Sequence, residues 1–237
     1  MHHPLSAEPL YKVRVMLPDP ISVIQRYAEA IDRRQVQPTV NRCPGCHEEP
    51  ERFRRDGGRR RVFLVVLERV VHTVLSALSR WRCPLCGHRF TLYPAFALPR
   101  KRYVKETLFE LAGAYVEKDE LSYRRAVEVE RMPVFYAPLD DDSIDERSLA
   151  HSTLHRWHSL FFSLLETVQE AQRLVREKSA TSDLFRRVFA PAPGKYRSEG
   201  RRAVVAATLR LLATEREYCS LFTRSIFPEL ATACAWR

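Results

Sequence analysis

Two Cys-Pro-x-Cys knuckles, Cys43-Pro44-Gly45-Cys46 and Cys83-Pro84-Leu85-Cys86, constrain this chain more than any other feature. A knuckle turns tightly enough to aim both of its thiolates at one point, and the prolines with Gly45 and Gly87 favour that turn. Two knuckles supply four soft ligands and leave no position for water. The pattern therefore predicts one structural Zn2+ held by Cys43, Cys46, Cys83 and Cys86, not a catalytic metal. The interval from Cys46 to Cys83 is longer than in a finger or treble clef. It suits a zinc ribbon whose knuckles are joined by a long β-hairpin or a decorated loop. His47 and His88 sit too close to the knuckles to add ligands and are read as exposed or supporting side chains.

With 237 residues and 45% hydrophobic content, the chain is long enough for one or two domains with a real core. Its net charge of +10 points to a polyanionic partner. The basic residues crowd around the knuckles. Arg52, Arg54, Arg55, Arg59, Arg60 and Arg61 are expected before the hairpin, and Arg80, Arg82, Arg89, Arg100, Lys101, Arg102 and Lys105 lie around and after the second knuckle. Such one-signed crowding predicts a phosphate-facing surface. No run approaches the ~18 apolar residues of a membrane span, and Met1-His2-His3-Pro4 lacks a charged leader and apolar segment. A thiolate site also fits a reducing compartment, so the expected location is cytoplasmic, with Cys219 a buried small residue and Cys234 a free thiol.

Residues 11–17 alternate like a short strand, and a helix follows Pro20, with Ile21, Ile24, Tyr27, Ala28 and Ile31 at helical spacing before Pro38. Asp56-Gly57-Gly58 reads as a turn, 61–67 as a strand, 80–82 as a strand entering the second knuckle and 89–93 as one leaving it. Periodicity leaves 68–78 open between strand and helix. Val104, Leu108, Leu111 and Tyr115 predict a helix, and Ser122 caps a shorter one carrying Tyr123, Ala126 and Val127. Residues 131–150, with Asp140, Asp141, Asp142, Asp145 and Glu146, read as a solvated loop. Ser152 then caps a third helix with a heptad seam of Leu154, Trp157, Phe161, Leu164, Val168, Ala171 and Val175. That seam either pairs with a second chain as a homodimer or packs inside this one. A helix over 199–222, striped by Val205, Leu209, Leu212, Cys219 and Phe222, offers an antiparallel hairpin through the 191–194 loop.

The fold class expected is α+β: a small β zinc ribbon, then a mainly α-helical, helix-turn-helix-like region and a C-terminal helical hairpin. The expected divisions are 1–42, 43–95, 96–165 and 166–237. On the third helix, Ser152, Arg156, Ser159 and Ser163 fall opposite the seam, with His155 on the flank, so this face suits a groove of double-stranded DNA. Trp157 lies on the seam and is read as core.

An ordered series of motifs carries a resemblance. The first knuckle is followed by Phe53-Arg-Arg-Asp-Gly-Gly-Arg-Arg-Arg61 and Arg80-Trp-Arg-Cys-Pro-Leu-Cys-Gly-His-Arg-Phe-Thr91. Leu98-Pro-Arg-Lys-Arg-Tyr103, Leu121-Ser-Tyr-Arg-Arg-Ala126 and Ser152-Thr-Leu-His-Arg-Trp157 then each lead into a helix. From Cys43 to about Phe162 the chain resembles the zinc-ribbon and helix-turn-helix N-terminal region of bacterial insertion-sequence transposases and transposase-associated proteins. The resemblance implies binding to mobile-element terminal repeats, with Arg100, Lys101, Arg102, Arg124 and Arg125 joining the third-helix residues at the DNA. In that family an Asp-Asp-Glu triad on an RNase H-like sheet cuts DNA. Residues after Leu165 read as helix, loop and helix, and Asp183, Glu199 and Glu215 as scattered surface carboxylates, so the expectation is a non-enzymatic DNA-binding protein. The alternatives are an active or split transposase with a separate catalytic domain and a ribbon module that docks protein or RNA.

Overall fold

In the computed structural model, which describes residues 19–40, 42–49, 52–68, 70–117, 122–130, 135–137, 145–146, 149–191, 196 and 198–227, one long hairpin organises the chain. Its strands, β1 (Arg54–Leu67) and β2 (Val70–Arg82), pair antiparallel from Arg54↔Arg82 to Leu67↔Val70. The undecided stretch 68–78 is thus mostly strand, and β2 begins well before residue 80. At roughly 3.4 Å per residue the hairpin is a beam of about 45 Å. Leu67 and Val70 are joined by a two-residue turn whose first residue, Glu68, takes a left-handed φ of 49°. Asp56-Gly57-Gly58 is no turn. The register slips between Arg55 and Gly58, and Gly57, at φ 89°, marks a β-bulge inside β1.

Helix α1 (Pro20–Asp32) starts on an Asp19 cap, whose carboxylate accepts from the backbone N–H groups of Ile21 and Ser22. It buries Ile24 and, with Phe63, Val65, Val74, Leu78 and Phe96, makes a core on one face of the hairpin. Strand β3 (Arg89–Thr91) pairs with the knuckle end of β2. Strand β4 (Phe135–Ala137) runs parallel to the opposite end of β2, and β5 (Asp145–Glu146) pairs with β4. Part of the expected 131–150 loop is therefore sheet, because the start of β2 offers an otherwise open edge. Asp140, Asp141 and Asp142, the 11–17 strand and Cys234 lie outside the described residues.

The helical half comprises α2 (Lys105–Glu117), α3 (Tyr123–Glu130), α4 (His151–Ser163), α5 (Leu165–Lys178) and α6 (Glu199–Phe222). Ser122 caps α3 as expected, its Oγ accepting from Arg125 N–H at 3.1 Å. Ser152 does not cap α4. The helix starts at His151 after Ala150, and Ser152 Oγ instead accepts from Arg156 at 3.4 Å. Nor is the third helix continuous, because Leu164, at φ −94° and ψ 16°, breaks it into α4 and α5. Every seam residue from Leu154 to Val175 is nonetheless buried within the chain, in a core shared with α2 and α6.

The α5–α6 pair is not an antiparallel hairpin. Gln172 Nε2 donates to Thr214 Oγ1 at 3.1 Å, and farther along both helices Lys178 Nζ donates to the Leu221 carbonyl at 2.7 Å, so the two run in the same sense. The buried face of α6 is also rotated from the expected stripe. Val205, Thr208, Leu211, Thr214, Glu215 and Tyr218 are inside, while Leu209, Leu212, Cys219 and Phe222 are half-buried. Polar residues occupy that face because each finds a partner there: Thr208 with His158 Nδ1 at 2.9 Å, Thr214 with Gln172, and Glu215 with Lys105 at 2.9 Å.

Candidate metal centre and basic face

The two knuckles meet at the open end of the hairpin. Each folds the same way: His47 N–H donates to the Cys43 carbonyl and Gly87 N–H to the Cys83 carbonyl, while Cys43 N–H donates to Glu48 and Cys83 N–H to His88. His47 and Gly87 hold equivalent left-handed positions, φ 60° and 73°. The sulfurs of Cys43, Cys46, Cys83 and Cys86 lie within 4.8 Å of one another and could hold a metal ion, with cross-knuckle separations of 3.6 Å from Cys43 to Cys86 and 4.0 Å from Cys46 to Cys83. A tetrahedron with metal–sulfur bonds of about 2.3 Å has sulfurs about 3.8 Å apart, so the donor set fits such an ion.

The backbone supports negative sulfur. Gly45 N–H donates to Cys43 Sγ at 3.3 Å and His88 N–H to Cys86 Sγ at 3.4 Å. Backbone N–H donation from Cys86 brings the Cys83 thiol down to about 7, with the N–H of Leu85 helping and desolvation opposing. Cys46 moves the other way: donation from the Glu48 N–H pulls its thiol down, but desolvation and the three neighbouring sulfurs together outweigh it and push it up to about 12. A bound cation favours the thiolate at all four positions. Beneath the sulfurs, Phe53, Trp81, Phe90 and Leu92 form a small core, Phe53 meeting Phe90 edge-on at 4.9 Å.

His47 and His88 are exposed, as expected, but His88 has a role that spacing does not reveal. A Cβ on Gly45 would lie 2.7 Å from the His88 ring and 2.9 Å from its Cβ, so Gly45 is where the two knuckles close on each other. Gly45→Ala is expected to push residue 88 away, loosen the N–H donation to Cys86 and weaken metal binding by about tenfold or more. Competition with a chromophoric chelator measures it, and unchanged affinity would show that the close approach is dispensable.

The basic residues separate into distinct environments. Lys105, expected on the phosphate face, is instead buried against Glu215. Arg80 and Arg89 both reach Asp56, at 3.7 and 3.3 Å. Arg55 donates to the Ile31 carbonyl at 2.7 Å, and Arg61 donates to the Lys101 carbonyl at 2.5 Å. This last bond, together with backbone pairing of Leu64 to Arg102 and Val104, fastens the 100–102 segment to β1. Tyr103 then packs edge-on against Trp157 at 5.3 Å, which is core as read from the seam. Burial first, and then the charge of Arg156, holds the Lys101 amine below its ordinary range, so the two cations feel each other. Arg100, at φ 59°, and Arg102 are exposed on the same segment.

On α4, His155, Arg156 and Ser159 are exposed and Ser152 is half-buried, opposite buried Leu154, Trp157 and Phe161. The Ser159 hydroxyl is turned back onto the His155 carbonyl at 2.9 Å, and the His155 ring meets Tyr123 of α3 at 5.6 Å. Arg124 and Arg125 are exposed on α3 itself. The three nominated carboxylates do not converge. Glu199 and Glu215 stand on one helix about 24 Å apart at 1.5 Å per residue, Glu215 is buried and Asp183 is exposed in a 3-10 turn. Among the described residues, no helix is long and apolar enough to cross a membrane. No protein-family model, curated protein or solved structure matches this chain.

Proposed function

We propose that this is a zinc-containing, double-stranded DNA-binding protein related to the DNA-binding part of transposases, cytoplasmic and without a catalytic role of its own. The observation that supports it best is the pairing of two basic segments far apart in sequence. The 100–102 segment is fastened to β1, and the residue after it, Tyr103, packs on Trp157 of α4, the helix that carries exposed Arg156. Basic residues on two joined segments suit an anionic partner, and a duplex presents phosphates at regular spacing. In this reading Arg100, Lys101 and Arg102 grip phosphates while Arg156, with Ser152, His155 and Ser159 around it, meets base edges. Arg124 and Arg125 extend the interface along α3. The cysteine cluster takes zinc, the ion that four thiolates in a tetrahedron commonly hold, and stabilises the hairpin from its far end.

Two variants test the division of labour. Arg100→Ala, Lys101→Ala, Arg102→Ala together should weaken binding to all duplexes and flatten log K against log salt by roughly 0.9 for each phosphate no longer neutralised. Arg156→Ala should stay folded by circular dichroism yet lose about 1–3 kcal/mol of discrimination between a terminal-repeat site and random duplex. A salt slope unchanged in the triple variant would move the phosphate face elsewhere.

A further inference from the structure

A cleft of about 1710 Å³ opens between the end of α1 with the segment after it and the knuckle half of β1. Five arginines line it: Arg34, Arg52, Arg54, Arg55 and Arg60. Four of them, all but Arg55, are exposed, and among the described residues none of those four has an ion-pair partner. The guanidinium of Arg55 is anchored through Nη2, but its buried Nη1 has no hydrogen-bond acceptor. Of the two carboxylates in the wall, Glu49 is already held by Arg42 at 2.6 Å, leaving Asp32 against this charge. Arg54 also stands directly opposite Arg82 across the ladder, a like-charged pair that destabilises the hairpin unless an anion sits nearby.

The backbone is shaped for close approach. Gly57 and Gly58 form part of the lining at the β1 bulge, and a Cβ on Gly57 would meet nothing within 4 Å. Where β1 turns apolar, its outer edge is covered by residues 102–104. Along 54–60, among the described residues, only β2 pairs with it. The uncovered half is the arginine half.

We infer that this cleft is a second nucleic-acid site, separate from the duplex surface, that takes the phosphate backbone of a single strand. Its volume exceeds the roughly 300–1,000 Å³ of small-molecule pockets, which favours a polymer. A duplex is a stiff convex rod and would touch only the rim of a concave cleft, whereas a flexible strand can follow its floor. Arginine suits both parts of that ligand, pairing with phosphate oxygens and laying its planar guanidinium on a base. The cleft shares no residue with the segment 100–102 or α4, so this inference does not depend on the duplex reading.

The test uses the full-length, metal-loaded protein and three probes: an oligothymidylate of roughly 16 nucleotides, a random duplex and polyglutamate. In Arg34→Gln, Arg54→Gln, Arg60→Gln, oligothymidylate affinity at low salt should fall at least about tenfold. The salt slope should fall by about 0.7 for each phosphate that loses its arginine, and duplex binding should change far less. The Arg100→Ala, Lys101→Ala, Arg102→Ala variant should show the reverse, so either site can fail without the other. Phenylglyoxal modification of the unaltered protein, with oligothymidylate protecting Arg34, Arg54 and Arg60, gives a result independent of how the variants fold. Undiminished oligothymidylate binding by the cleft variant, or absence of protection, overturns the inference. So does an equal loss of duplex binding, which would merge the cleft with the duplex site. Polyglutamate binding as tightly as oligothymidylate and abolished in the same variant would make the cleft an acidic-peptide site instead.

Discussion

Replacing Cys83 and Cys86 together by serine is expected to remove the metal from the chain and unfold the knuckle end of the hairpin while leaving the helices in place. The four sulfurs converge from segments joined only through the hairpin, and the core beneath them is small: Phe53, Trp81, Phe90 and Leu92 with the two buried cysteines. Without an ion, four mutually close thiols bring repulsion or proton competition in place of bonding, and metal binding in such small units is inseparable from folding. The helical core around Trp157, Leu154 and Leu211 is built from other residues and lies at the opposite end of the beam. Elemental composition should fall from about one zinc per chain to background, and the near-ultraviolet signal of Trp81 should collapse while far-ultraviolet helicity persists. Iron in the purified protein, or full zinc occupancy in the double variant, would remove the single zinc site. Simultaneous loss of the helices would show that the two ends fold as one unit.

The second large effect is expected inside the helical core. Lys105, at the start of α2, donates to Glu215 Oε1 at 2.9 Å and to Ser225 Oγ at 2.8 Å, and the other Glu215 oxygen accepts from Ile226 N–H at 2.9 Å. Both charged side chains are 9% exposed. Glu215→Ala leaves the buried ammonium with only Ser225 and the more distant, partly exposed Glu106, and strands two donors of the segment after α6, at a cost of about 3–5 kcal/mol. For a chain of this size that is a fall of roughly 6–20 °C in Tm. Lys105→Met should cost less, because Glu215 keeps Ser225 and Ile226 as donors. The lysine is held above its ordinary value of 10.5, desolvation being outweighed by the charges of Glu215 and Glu106. A raised lysine contributes fully below the unfolded value and loses its contribution as pH climbs through the folded one. The wild type should therefore surrender this increment only above pH 10.5. Equal melting temperatures for wild type and Glu215→Ala would mean that the pair contributes nothing.

Much of the site is legible in the sequence because its chemistry is local. Four cysteines in two knuckles announce their geometry within a few residues, and Trp157 announces its burial by its place on the seam. The bounds 199–222 of α6 are readable from its periodicity, and the structure adds a Ser198 cap. The hairpin turn is not readable, since Glu68 and its neighbour carry no glycine or asparagine to mark it. Asp56-Gly57-Gly58 misleads for the opposite reason: a glycine at positive φ serves a bulge as readily as a turn, and only the register of the partner strand separates them. The α6 stripe misleads because Thr208, Thr214 and Glu215 look like surface residues until His158, Gln172 and Lys105 are found opposite them.

What the sequence determined by itself is therefore whatever depends on neighbours along the chain: the two cysteine knuckles, the cap of α3, the seam and its burial, and the crowding of arginine near the cysteines. Tertiary structure alone decided the sense in which α5 and α6 run, the burial of Lys105, the closure of Gly45 on His88 and the packing of Tyr103 on Trp157. Each of these joins groups from different elements. Whether a polar group can be buried, or a charge left facing its like, depends on partners that only folding supplies.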